Sequence, residues 1–238
     1  PLLRAALFRL GSQVHWLLIT MHHIVTDGWS FSILLQELDS LIQAKDLPEL
    51  SWQYADFARW QRQVYNKTAI AQQLTYWQQQ LAPAAGQSPP APPPARKTAH
   101  QYFTRFPAAL ASAVTDCSRA QGVTSFVVLL AGLKLTLAEW AQQQEILVVA
   151  TVGNRTMPET ESLIGCFIND VILRSHLSPD DTGLTFLQRL QTTVNEAIDH
   201  KEVPLQQVID HVKHHRPLDL LASITMTPSV QTSEASPQ

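Results

Sequence analysis

The N-terminal third of the chain alternates between two patterns of apolar residues. Residues 14–21 (VHWLLITM) are almost continuously apolar, which predicts a strand buried on both faces. From Ser30 onward the apolar residues recur at helical spacing, and Ser30 is the expected N-cap. A second helix is predicted to begin at Ser51, and a third carries one apolar stripe through residues 70–81.

The rest of the chain predicts a second set of elements. Helical spacing indicates helices at 107–121, 124–140 and 184–200, and a short helix with Pro204 in its first turn. Four apolar runs are expected to be strands: 101–106, 145–155, 163–174 and 220–227. Helices and strands in these proportions predict an α/β protein with two layers.

A stretch rich in proline and alanine separates the two sets of elements. Residues 81–97 read LAPAAGQSPPAPPPARK, a composition that favours an extended, semi-rigid connection. We therefore predict an N-terminal part at 1–81, a linker at 82–97 and a C-terminal part at 98–238.

Composition restricts the classes of function. A hydrophobic fraction of 45% and a charged fraction of 16% are typical of a globular protein. The net charge of -3 offers no basic field for nucleic acid, and no apolar run approaches the ~18 residues of a membrane helix. The two cysteines, Cys117 and Cys166, are expected to be buried thiols in a reducing compartment. We expect a cytoplasmic protein with no nucleic-acid or membrane partner.

Ten residues between the first predicted strand and helix, MHHIVTDGWS, carry candidate chemistry. Adjacent side chains at a strand end point to opposite faces, so His22 and His23 cannot share one metal ion without a sharp bend. One imidazole is expected to face inward and brace the turn. The other is expected to face a cavity, where a neutral histidine can act as a general base. An ordinary histidine pair beside an Asp-Gly turn is the structural alternative.

The residues after the histidines are expected to shape the turn. Asp27 can fold back onto the backbone or onto an arginine, and Gly28 allows a close backbone approach or a positive φ. Trp29 is expected to pack against the junction between strand and helix.

Four segments, in order along the chain, resemble the condensation domains of nonribosomal peptide synthetases. His22, His23, Asp27 and Gly28 match the HHxxxDG motif of that family. The segment YADFARWQR (54–62) matches the family pattern Y-x-D-[YF]-A-x-W. The segment GNRTMPETESLIGCFINDVILR (153–174) matches N-R followed by I-G-x-F-[VI]-N-x-x-x-x-R. The segment HKEVPLQQVID (200–210) matches H-x-x-x-P-[FL]-x-x-[VL].

The resemblance implies a two-lobed sandwich like chloramphenicol acetyltransferase, with the histidine motif in a tunnel between the lobes. Residues 1–81 would be part of the N-terminal, donor-side lobe, and residues 98–238 most of the C-terminal lobe. Family segments before the histidine motif, and the final latching strands, would be missing. An incomplete sheet exposes apolar surface, so the chain alone is expected to fold poorly or aggregate.

The activity that the resemblance implies is amide bond formation between a donor acyl or peptidyl thioester and the amine of an acceptor aminoacyl thioester. No cofactor would be bound directly, since phosphopantetheine arms of upstream and downstream peptidyl carrier domains carry both substrates. An adjacent adenylation domain would be a further partner in the same megasynthase. The alternatives are an acyl-coenzyme A-dependent acyltransferase, an epimerisation domain and a non-catalytic scaffold of the same fold.

Roles can be carried over to individual residues. His23 would face the tunnel and orient the acceptor amine or take its proton, while His22 would point away and be structural. Asp27 would hold the loop by pairing with an arginine, for which the candidates are Arg105, Arg155 and Arg174.

Further residues would shape the channel and its surroundings. Gly28 would leave room for the acceptor arm, and Trp29, Ser30 and Asn169 would line the channel. Asp170 stands where the family usually has threonine, which adds an acid beside the channel. Arg155 and Arg174 would be structural. No metal site is expected, and the histidine cluster of His211, His214 and His215 is interpreted as solvated surface.

Overall fold

The computed structural model of the chain describes residues 1–82 and 106–212, and the backbone of residues 222–224. Most of the predicted linker and of the predicted strand at 101–106 lies outside these residues, as do Arg105, His214 and His215. Two short 3₁₀ helices occupy His23–Val25 and Pro158–Thr160. The other elements are β1 (Leu3–Arg9), β2 (His15–Met21), α1 (Gly28–Ile42), α2 (Tyr54–Val64), α3 (Lys67–Gln80), α4 (Ala108–Gln121), α5 (Ser125–Ala141), β3 (Glu145–Gly153), β4 (Ile168–His176), α6 (Gly183–Asp199), α7 (Leu205–Val212) and β5 (Ala222–Ile224).

The chain divides into two compact units. The first comprises Pro1–Ala71 and a later segment, Gly153–Asn169. The second comprises the described residues of Gln72–Val152 and Asp170–Gln238. The segment Gly153–Asn169 matters for the site, because it packs in the same unit as α1 and α2, which lie about a hundred residues earlier in the chain. The predicted lobe boundaries at 81 and 98 stay a prediction.

Strand β2 differs from the expectation of burial on both faces. It pairs antiparallel with β1, with Leu7 opposite Leu17, and among the described residues this sheet has two strands. Strand β1 was not predicted. Its side chains are exposed or half-buried, and Trp16 is 66% exposed. The prediction was wrong because a continuous apolar run indicates an apolar strand but does not fix how many neighbours cover it. The exposed apolar surface that we expected at this sheet is present, whereas aggregation stays a prediction.

Two predicted helix starts were also wrong by a few residues. The N-cap of α1 is Asp27, whose carboxylate accepts a hydrogen bond from the backbone N–H of Ser30. Aspartate and serine are both good caps, and here the earlier one is used. Helix α2 begins at Tyr54 instead of Ser51, because the Asp56 side chain accepts the backbone N–H of Gln53.

The second unit confirms most of the elements predicted for the C-terminal part. The strand predicted at 163–174 was wrong at its start: β4 begins at Ile168, because the backbone groups of residues 165–167 bond to Ser30, Tyr54 and Asp27 instead of to a neighbouring strand. The sheet of the second unit has the strand order β4-β3-β5, with β5 parallel to β3. The centres of β3 and β4 are buried, and α4, α5 and α6 match their predicted ranges to within a residue or two at each end. Helix α4 ends at Gln121 and is capped by Gly122, whose φ of 64° lies in the left-handed region that glycine adopts without strain.

Within the described ranges, no single helix is long and apolar enough to cross a membrane. Helices α4 and α5 together have the length and apolar composition of a broken membrane span, but the chain bends by 107° between them.

A buried lysine lies between α5 and the sheet of the second unit. The side chain of Lys134 is fully buried, and its Nζ donates hydrogen bonds to the carbonyl oxygens of Ile146 (3.0 Å) and Leu173 (2.7 Å). Burial favours the uncharged amine, which lowers the pKa of Lys134 from its ordinary 10.5 to about 7.

This lysine predicts a stability that rises with pH. Above pH 7 the folded protein releases the Lys134 proton while the unfolded chain still binds it, so unfolding becomes less favourable as pH rises towards 10.5. We expect the free energy of unfolding to rise by about 2 kcal/mol between pH 7 and pH 9 from this group. Urea denaturation at both pH values measures the rise, and Lys134→Met should lack that part of it. Equal rises in both proteins would contradict the prediction.

Candidate functional site

The histidine pair lies at the end of β2, on the turn that leads into α1. His22 caps the first 3₁₀ helix, since its Nδ1 accepts a hydrogen bond from the backbone N–H of Ile24 at 3.1 Å. Both His22 and His23 are exposed, so the expectation that one imidazole faces inward was wrong. His22 still braces the turn, but it does so by capping the helix and not by burial. The His23 ring remains available to a reactant.

Asp27 is the buried centre of this turn. Its side chain is 3% exposed, and its Oδ1 lies 2.7 Å from both the backbone nitrogen and the hydroxyl of Ser30. Its Oδ2 accepts the backbone N–H of Phe167 at 3.0 Å. The carboxylate therefore ties the start of α1 to a segment 140 residues later in the chain.

Arg155 is the arginine that pairs with Asp27. Its Nη2 lies 3.1 Å from Asp27 Oδ1 and 2.9 Å from the Ser30 hydroxyl, and its side chain is 10% exposed. Its Nη1 donates to the carbonyl oxygens of Thr160 and Leu163. The sequence left three candidates for this partner, and the structure selects Arg155.

The network keeps Asp27 in its charged form. Burial alone would raise the pKa of Asp27, but this is outweighed by hydrogen bonds from the Ser30 hydroxyl and amide, the Phe167 amide and the charge of Arg155. Together they hold the pKa of Asp27 below its ordinary 3.8. A carboxylate held ionised by four such contacts is suited to brace a loop and not to carry protons.

The segment that faces the histidine turn is anchored at three successive residues. Gly165 donates its N–H to the Ser30 hydroxyl oxygen at 3.0 Å, and the carbonyl oxygen of Gly165 lies 2.8 Å from the same oxygen. The carbonyl of Cys166 accepts the Tyr54 hydroxyl at 2.9 Å. Phe167 donates its N–H to Asp27 and accepts the N–H of Asn154 at 2.6 Å. Residues 165–167 are therefore held from both sides.

An aromatic cluster supports the same segment from helix α2. Phe57 and Phe167 are buried, with ring centroids 4.8 Å apart, and Tyr54 meets the Phe167 ring edge-on at 5.1 Å. The Arg155 guanidinium lies 4.0 Å above the centre of the Phe167 ring. The segment YADFARW therefore contributes the packing that places Phe167, and with it the backbone groups that bind Asp27.

Gly165 sits where a side chain does not fit. A Cβ atom there would overlap Cδ2 of Tyr54, and the Tyr54 ring cannot move freely because its hydroxyl is bonded to the carbonyl of Cys166. We expect Gly165→Ala to lower the free energy of unfolding by about 1–3 kcal/mol, the cost of overpacking a core. Chemical denaturation measures it. Gly132→Ala is the matched control, because a Cβ at that helical position meets nothing within 4 Å and should be neutral or stabilising. Equal stability of the Gly165→Ala protein and the wild type would contradict this prediction.

Three predicted site residues differ from their expected surroundings. Gly28 is the first residue of α1, has no positive φ, and has open space where a Cβ would lie. Trp29 does not pack the junction: it is 59% exposed, and its Nε1 donates to the carbonyl of Glu161 at 2.8 Å. Ser30 was predicted to line the channel, but it is fully buried and its hydroxyl is used within the network. We correct its role to bracing.

The remaining predicted residues lie along β4. Asn169 is half-buried at the second position of this strand, and Asp170 accepts a hydrogen bond from the Thr151 hydroxyl at 2.6 Å. Arg174 does not bind Asp27. In the second unit it pairs with Glu145 at 2.7 Å and donates to the carbonyl of Gln80, which is consistent with a structural role.

Sequence reasoning missed the side chains that build the support of the turn. Tyr54, Gly165 and Phe167 all lie inside the quoted motifs, so their match to the family motifs is the signal that could have identified them.

Cys117 and Cys166 are free thiols as expected, but each is half-buried and not fully buried. Cys166 Sγ lies 3.9 Å from Nδ1 of His23, a contact that no spacing in the sequence indicates. The described residues contain no group of three side chains that could hold a metal ion.

Comparisons with known proteins identify the family of the chain. The family model of the condensation domain matches residues 1–235. A linear gramicidin synthase of Brevibacillus parabrevis is 38% identical over 229 residues, which is 92% of this chain and 3% of that protein.

Solved structures show the same fold. The SgcC5 protein from Streptomyces globisporus matches with a TM-score of 0.70 and 28% identity, over 90% of this chain and 50% of that one. The condensation domain of the Monacolin K polyketide synthase MokA matches with a TM-score of 0.76 and 22% identity, over 94% of this chain and 52% of that one. The chain thus spans about half the length of these solved relatives.

These likenesses confirm the predicted α/β fold class, that of chloramphenicol acetyltransferase-like condensation domains. The family model covers nearly the whole chain, including the histidine turn and the segment that anchors it. The chain belongs to the condensation domain family.

Proposed function

We propose that the protein forms an amide bond between a donor acyl or peptidyl thioester and the amine of an acceptor aminoacyl thioester. The acceptor nitrogen attacks the donor carbonyl, the new C–N bond forms, and the C–S bond of the donor thioester breaks. The amine loses one proton, and the departing thiolate is finally protonated, so that the products are one amide and one free thiol.

The observation that carries this proposal is an exposed histidine on a turn that is followed directly by the hydrogen-bonded network of Asp27. The Asp27–Arg155 pair, the Ser30 hydroxyl and the amide of Phe167 hold the start of α1, directly after the turn that carries His23. None of these bonds uses the His23 ring. A fixed, solvent-accessible imidazole is the group required to orient an amine or to take its proton in a transition state.

The neighbouring residues receive supporting roles. His22 holds the turn through its bond to the N–H of Ile24, and Asp27 with Arg155 holds the start of α1. A Cβ atom at Gly28 would meet nothing within 4 Å, which is consistent with room for the acceptor arm. The proposed channel residues are Trp29, which is exposed, and Asn169, which is half-buried in β4.

Delivery of both substrates on carrier domains also belongs to this proposal. Phosphopantetheine arms of upstream and downstream carrier domains would supply the two thioesters, an adjacent adenylation domain would select an amino acid, and no cofactor would bind the protein directly. Relatives among peptide synthases, such as the linear gramicidin synthase, support this setting.

A condensation assay with the full-length protein tests the proposal. Donor and acceptor are loaded on separate carrier proteins, and mass spectrometry follows the acceptor carrier for the mass of the joined product. We expect product with two loaded carriers and none when acyl-coenzyme A and a free amine replace them. Product from acyl-coenzyme A would support a coenzyme A-dependent acyltransferase instead. Epimerised substrate without a new bond, or carrier binding without any product, would support the epimerisation or scaffold alternative.

A further inference from the structure

The thiol of Cys166 is the described side-chain group that contacts the ring of His23. Its Sγ lies 3.9 Å from Nδ1 of His23, within the range of a weak hydrogen bond to sulfur. His23 belongs to the turn after β2, and Cys166 to the segment 143 residues later. Both residues lie in the first compact unit. Within the described part of the chain, Nε2 of His23 makes no hydrogen bond.

The position of this thiol is fixed by its two neighbours and by its own carbonyl. Gly165 is bonded to Ser30, Phe167 to Asp27, and the Cys166 carbonyl to the Tyr54 hydroxyl. Because the backbone is held at all three residues, the Cys166 side chain is presented to His23 from a rigid support. The network that braces Asp27 therefore also sets the distance between sulfur and imidazole.

We propose that Cys166 is a positioning residue for His23, its Sγ accepting a hydrogen bond from Nδ1–H and so leaving Nε2 as the proton acceptor. A neutral imidazole carries one N–H, and the partner of one ring nitrogen selects which nitrogen holds it. With Nδ1–H directed at sulfur, the lone pair is on Nε2. When Nε2 takes the proton of the acceptor amine, the contact to sulfur persists and the ring keeps its orientation. This inference rests on the proposed function of His23.

The consequence is a change of tautomer when the thiol is removed. In Cys166→Ala the ring of His23 loses its partner at Nδ1 and should return to the preference of a free imidazole for Nε2–H, which blocks the acceptor nitrogen. We expect kcat to fall about twofold, the value of a hydrogen bond at the lower end of the usual net range, with little change in KM. The acid limb of the pH–rate profile should shift as well. Cys166→Ser keeps an atom that can accept the Nδ1–H bond and should retain most of the activity.

Nitrogen-15 spectra of histidine-labelled protein test the contact directly, with His23→Gln used to assign the signal. We expect the Nδ1–H form in the wild type and the Nε2–H form in Cys166→Ala. Cys117→Ala is the matched control, since that half-buried thiol lies on α4 in the second unit and should change neither spectrum nor rate.

Two outcomes would separate this inference from the proposed function. A Cys166→Ala protein with an unchanged His23 tautomer and an unchanged pH profile would overturn the positioning role. A tautomer change in a protein whose wild type forms no dipeptide would uphold the contact between sulfur and imidazole, and would overturn the proposed function instead.

Discussion

Replacing His23 by alanine is expected to lower the rate of amide formation by about 100-fold or more, the usual contribution of a general acid or base. The reason is that His23 is the exposed imidazole of the braced turn, and its removal leaves the acceptor amine without a partner there. The measurement is mass spectrometry of carrier-bound product under single-turnover conditions, which separates the chemical step from carrier release.

The His23→Ala protein should keep its fold, because the bonds of the Asp27 network do not involve the His23 ring. An unchanged melting temperature would show this. His15→Ala is the matched control, since His15 is an exposed histidine at the start of β2 and should leave the rate unchanged. A His23→Ala protein that retains more than a third of the wild-type rate would show that positioning of the two thioesters supplies most of the catalysis.

Replacing Arg155 by alanine is expected to lower the free energy of unfolding by about 3–5 kcal/mol. The change leaves the buried carboxylate of Asp27 without its cation and frees the carbonyl oxygens of Thr160 and Leu163. Both side chains of the pair are nearly excluded from water, so solvent cannot replace the lost partner. Chemical denaturation at pH 7 measures the loss.

A surface ion pair in the same unit provides the control. Arg59 and Asp56 lie 3.2 Å apart on α2, but their side chains are 70% and 44% exposed. Removing such a pair costs about 0–1 kcal/mol, so Arg59→Ala should be close to wild type. Equal losses for Arg155→Ala and Arg59→Ala would contradict the buried-charge argument. Asp27→Asn in the Arg155→Ala background should recover part of the stability, since no unpaired charge then remains.

The sequence by itself determined most of the elements and the motif that carries the chemistry. Helices α4, α5 and α6 follow from apolar residues at helical spacing, which is a short-range property that the chain carries within each segment. The histidine turn was found in the same way, because a strand pattern and a helix pattern meet there. The start of α1 was predicted to within three residues, since Ser30 was the expected N-cap and Asp27 is the observed one.

Only the tertiary structure decided what surrounds that turn. Arg155 could not be chosen over Arg105 and Arg174 from the sequence, because charge pairing over more than a hundred residues depends on how the chain returns and not on spacing. The contact of Cys166 with His23, the bracing role of Ser30 and the exposure of β2 have the same origin. Burial and contact depend on which segments cover each other, and local patterns of apolar residues do not contain that information.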